Sequence, residues 1–64
     1  MTDVASKIKE YRRKKFLTQR EFAKLLGVSV LSVNRWENSK FEPTLQIQKK
    51  LYQLFLDAGM NVDN

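Results

Sequence analysis

Apolar positions along this chain recur with the period of a helix, not that of a strand. Val4, Ile8 and Tyr11 stand at i, i+4 and i+7 behind Asp3, a residue that favours a helix start. The spacing predicts a first helix over 4–15. It ends in Arg12-Arg13-Lys14-Lys15, a cluster that suits the negative end of a helix dipole and is equally available to phosphate. A second helix is predicted over 19–26. Thr18 and Glu21 have capping-box spacing, and Leu17 and Phe22 stand where a hydrophobic staple closes. Phe22, Leu25 and Leu26 are expected to face inward, with small Ala23 where another helix comes close. Gly27 ends this helix, in a positive-φ conformation that glycine adopts at little steric cost.

Ser29 caps a third predicted helix over 30–38. At about 100° per residue, Val33, Trp36 and Glu37 fall on its inner side and Val30 at the edge. Leu31, Asn34, Arg35 and Asn38 fall on the opposite side. An inward Glu37 is costly unless a cation meets it. Lys40-Phe41-Glu42-Pro43 reads as a loop, and Thr44 caps a fourth helix over 45–57 with Gly59 just past its end. Ile47, Leu51, Leu54, Phe55 and Ala58 form one apolar stripe of that helix. Leu45, Tyr52 and Leu56 form another, which either packs on the first helix or makes a second contact surface. Residues 60–64 read as a frayed tail.

Two short helices joined at Gly27 make a helix-turn-helix, inside an all-α bundle in which four helices are evident and one domain spans 1–64. The net charge of +5 is concentrated, since residues 7–40 hold ten Lys or Arg against three Glu. A local basic footprint suits a polyanion. There is no His and no Cys, the seven carboxylates are scattered, and no Gly-rich phosphate cradle exists. Those absences argue against an enzyme, a metal site or a cofactor. Cysteine usage fits a reducing cytoplasm, and no apolar run approaches membrane length. A cytoplasmic protein without a membrane partner is expected.

Gln19, Ala23, Gly27, Val33 and Trp36, followed by Trp36-Glu37-Asn38, resemble in spacing the phage repressor and Cro family, also called XRE-like. The resemblance covers about residues 4–57. It implies the lambda-repressor-like bundle, usually of five helices, with the fifth here missing or reduced to residues 58–64. It also implies base contacts at Val30, Leu31, Asn34 and Arg35, and phosphate contacts at Gln19, Asn38 and Lys40. Arg12 and Glu37 match a pair that forms a structural salt bridge in some relatives. Relatives often carry Gly or Asn where Phe16 stands and Gly where Ser39 stands. A bulky residue at a positive-φ site costs about 1–3 kcal/mol, so an extended Phe16 is expected.

The function implied is sequence-specific binding of double-stranded DNA by a transcriptional regulator, a repressor, with the third helix in the major groove. Arg35 is the candidate for guanine readout. Asn34 either reads adenine or braces Arg35, and Val30 and Leu31 are candidates to pack on thymine methyls. Trp36, Phe22, Leu25, Leu26 and Val33 read as core. Family members usually bind as homodimers on palindromic operators, and the Leu45-Tyr52-Leu56 stripe is the candidate dimer surface. The alternatives are an antitoxin with a toxin partner, a restriction controller, or an interaction adaptor that reads no DNA.

Overall fold

A computed structural model describes residues 3–61 of the 64-residue chain. Among them lie four helices and no strand: α1 (Val4–Lys15), α2 (Gln19–Leu26), α3 (Val30–Glu37) and α4 (Leu45–Asp57). Each begins at a side chain that accepts from an otherwise unpaired backbone N–H of its first turn. Asp3 accepts from Ser6, Ser29 from Ser32 and Thr44 from Ile47. At α2 the box is complete: the Glu21 N–H donates to Thr18 Oγ1 at 3.0 Å, and the Thr18 N–H to Glu21 Oε1 at 2.8 Å.

The four helices also end alike. Phe16, Gly27, Ser39 and Gly59 all have positive φ, between 57° and 80°. After each, the next N–H reaches back a full turn. Leu17 donates to Arg12 O, Val28 to Ala23 O, Lys40 to Arg35 O and Met60 to Phe55 O, all at 2.9–3.0 Å. This is the Schellman arrangement, which satisfies carbonyls that a bare helix end leaves open. At three of the four ends the residue after the turn, Leu17, Val28 or Met60, is apolar and packs in or against the core. Phe16 is therefore not extended as its bulk predicts. It takes the left-handed conformation (φ 57°, ψ 45°) with its side chain 92% exposed. The paired carbonyls and the burial of Leu17 outweigh the local strain.

The core is built from every helix: Val4, Ile8 and Tyr11 of α1, Phe22, Ala23 and Leu26 of α2, Val33 and Trp36 of α3, Leu51 and Phe55 of α4. Tyr11 joins three of them, edge-on to Phe22 at 5.6 Å and tilted to Phe55 at 6.0 Å. Two expectations are corrected. Leu25 faces out at 55% exposure, because α2 meets the core along the Phe22–Ala23–Leu26 edge and Leu25 lies beyond it. Met60 is buried, drawn into the core by the turn at Gly59, and is not part of a frayed tail; residues 62–64 lie outside those described. Leu45, Tyr52 and Leu56 are all exposed, so that stripe of α4 does not pack on α1. The third helix closes at Glu37 with Asn38 as its cap, and among the described residues no fifth helix follows α4.

Candidate nucleic-acid interface

The α2–α3 corner is made by Gly27 (φ 80°), and it sets α3 across the molecule against both α1 and α2. Only one side of α3 is used in that packing. Val33, Trp36 and Glu37 are buried, while Leu31, Asn34, Arg35 and Asn38 are exposed and Val30 sits at the rim. Lys40, just past the helix, is exposed as well, and Gln19 is half-buried at the first turn of α2.

Glu37 is the one buried charged side chain among the described residues, 4% exposed, and Arg12 of α1 meets it in a two-pronged ion pair. Arg12 Nε donates to Glu37 Oε2 at 2.6 Å and Nη2 to Oε1 at 2.9 Å, while Nη1 donates to Leu17 O at 3.1 Å. Such a fork fixes orientation as well as charge. Burial by itself pushes the Glu37 carboxyl up. Hydrogen bonds from Arg12 and Gln19 and the positive charge of Arg12 and Lys9 outweigh it, and the net pKa is lowered from the ordinary 4.5. The Arg12 guanidinium is raised in turn, chiefly by its hydrogen bonds to Glu37.

From this pair a line of side-chain amides runs out to the open face of α3. An ionised carboxylate only accepts, so Gln19 must present its amide N–H to Glu37, which it does at 3.1 Å. That leaves the Gln19 carbonyl to accept from Asn34 Nδ2 at 3.4 Å, and the Asn34 carbonyl to accept from Asn38 Nδ2 at 3.1 Å. Each amide orientation is thus dictated by the one before it, starting from the buried charge. Asn34 braces Gln19 and Asn38 in this arrangement and not Arg35. The guanidinium of Arg35 instead lies over the ring of Phe41, 5.1 Å from its centroid.

The structure therefore brings Arg12, Glu37, Gln19, Asn34 and Asn38 into one connected group. Arg35, Leu31 and Val30 stand on the same helix outside it, and Lys40 follows the turn. Sequence reasoning assigned Phe41 to a loop and gave it no role. Its signal was an aromatic placed four residues beyond a helix that carries an exposed arginine, visible only once the turn at Ser39 was known.

The family model described as helix-turn-helix matches residues 8–55, three quarters of the chain. This chain belongs to the XRE-type helix-turn-helix family. Neither the curated proteins nor the solved structures include a significant match. The helix-turn-helix domain is that of a DNA-binding regulator, a class not typically catalytic. The described residues hold no group of three or more His, Cys, Asp or Glu that could hold a metal ion. None of the described helices is long and apolar enough to cross a membrane.

Proposed function

We propose that this helix-turn-helix protein is a sequence-specific repressor that sets α3 into the major groove of duplex DNA. The observation that carries the reading is the one-sided packing of α3. Its apolar side is in the core, and a largely polar side of groove-compatible length is left open. An α-helix fits the major groove, and Arg35 offers two parallel donors that match guanine O6 and N7. Leu31 and Val30 supply apolar surface for thymine methyls. Gln19 at the N-terminus of α2, with Asn38 and Lys40 beyond α3, provides donors for phosphates on either side of the groove.

The exposed Leu45, Tyr52 and Leu56 support a two-fold dimer. Their spacing places them in one row along α4, about 16 Å long at 1.5 Å per residue. A self-complementary contact of this kind matches a palindromic operator. Selection of bound duplexes from a random pool tests the function directly. The chain should enrich a two-fold symmetric sequence, with log affinity falling against log salt at about −0.9 per phosphate neutralised. Arg35→Ala should relax the preference at one base pair per half-site, by about 1–3 kcal/mol of discrimination. Failure to enrich any sequence, together with salt-insensitive binding to a protein, would support the adaptor instead.

A further inference from the structure

We infer that Phe41 is a positioning residue for base readout: its ring holds the Arg35 guanidinium ready before DNA arrives. The inference rests on the proposed major-groove reading of Arg35 and adds a residue outside the recognition helix to the specificity apparatus. Phe41 has no part in the core. It is 59% exposed, a location that gives a phenylalanine little hydrophobic reward. Its ring nevertheless has a defined place. The turn at Ser39, with the Lys40 N–H bonded to Arg35 O at 3.0 Å, folds the chain back along the end of α3. Phe41 then walls a shallow recess of about 80 Å³ that is also lined by Asp3, Val4, Ala5 and Trp36. The other feature that meets the ring is Arg35, 5.1 Å from its centroid.

The physical consequence is a biased side chain. Arginine has many rotamers, and a reader that must find one of them on docking loses affinity in proportion to how seldom it visits that one. An aromatic face under a guanidinium favours the stacked set about 2- to 5-fold where water is present, and up to about 30-fold where it is excluded. Stacking uses the flat face of the guanidinium and leaves the in-plane N–H groups free. Those in-plane groups are what a guanine edge accepts from. Asn34, the neighbour otherwise placed to steer Arg35, is already committed to Gln19 and Asn38. The ring therefore supplies the orientation that the amide line does not.

The experiment compares Phe41→Leu, Phe41→Tyr and Arg35→Ala in the full chain. Affinity is measured on the selected duplex and on one altered at the base pair that Arg35→Ala ceases to discriminate. Phe41→Leu keeps apolar bulk without a π face, and it should lose about 2- to 5-fold or more on the selected duplex and nothing on the altered one. Phe41→Tyr should restore wild-type discrimination. Melting temperature and salt dependence should match the parent for both variants, which a purely structural or phosphate-binding role would not allow. In the double variant, Arg35→Ala should abolish the effect of Phe41→Leu. Discrimination unchanged by Phe41→Leu while Arg35→Ala reduces it overturns this inference alone. Tighter binding by Phe41→Leu also overturns it, since the ring would then be sequestering Arg35. Discrimination unchanged by Arg35→Ala overturns the groove reading, and this inference with it.

Discussion

Two residues in this small domain carry a cost that the rest of the fold offsets. Phe16 and Ser39 hold positive φ without being glycine, a conformation that costs roughly 1–2 kcal/mol for an L-residue. Phe16→Gly should relieve that strain and give back part of the gain as chain entropy. The net expectation is about 0.5–1 kcal/mol of added stability, read as a rise in Tm of about 2–8 °C. The exposed Phe16 ring contributes no core packing to lose. Glu37 makes the opposite case, a costly group made favourable by its partners. Arg12→Ala strands a buried carboxylate and should cost about 3 kcal/mol, measured by urea unfolding with Trp36 fluorescence as the probe. The pH dependence has a definite sign. A carboxyl whose folded pKa is lowered adds stability above its ordinary value of 4.5 and loses it as pH falls through the folded value. Glu37→Gln should therefore show a flatter loss of stability than the parent as pH falls below 4.5. Equal slopes would remove Glu37 from the acid transition.

Among the elements, the starts of helices were more legible than their far ends. Asp3, Thr18, Ser29 and Thr44 announce themselves because a cap is a local event, decided by one side chain and the next three amides. The inner faces of α1 and α3 were legible too, since 3.6-residue spacing places Val4, Ile8 and Tyr11, or Val33 and Trp36, without knowledge of the partner. The errors arose where a partner decides. Leu25 lies on the same arc of α2 as Phe22 and Leu26, and only the crossing with its neighbours shows that the core stops short of it. Phe16 was misjudged because steric strain is visible in a sequence, whereas the two carbonyls that the left-handed turn satisfies are not. The pairing of Arg12 with Glu37 came from a family resemblance, and the amide line from Gln19 to Asn38 depends on three elements meeting at one corner. Met60 is the clearest case of a far end missed, since its burial requires the Gly59 turn. Met60→Ala should thus cost about 2 kcal/mol or more, as a buried methionine does, and a Tm within about 2 °C of the parent would return it to the tail.

At the scale of the molecule, the proposed function divides the surface between two tasks. In it, the open side of α3 and the basic first two thirds of the chain meet DNA, while the exposed apolar row on α4 meets a second copy. If α4 joins two copies, Tyr52→Glu together with Leu56→Glu should leave each monomer folded, because both side chains are exposed. Sedimentation should then show a monomer, and affinity for a palindromic site should fall while affinity for a half-site does not. In the proposed complex, α3 enters the major groove with Arg35 toward a guanine. Methylation interference tests it most directly, because guanine N7 lies in the major groove and adenine N3 in the minor. Methyl groups at N7 of one guanine per half-site should block binding by the parent and lose that effect in Arg35→Ala, with N3 methylation without consequence. Interference confined to adenine N3, or an N7 pattern that Arg35→Ala leaves unchanged, would contradict it.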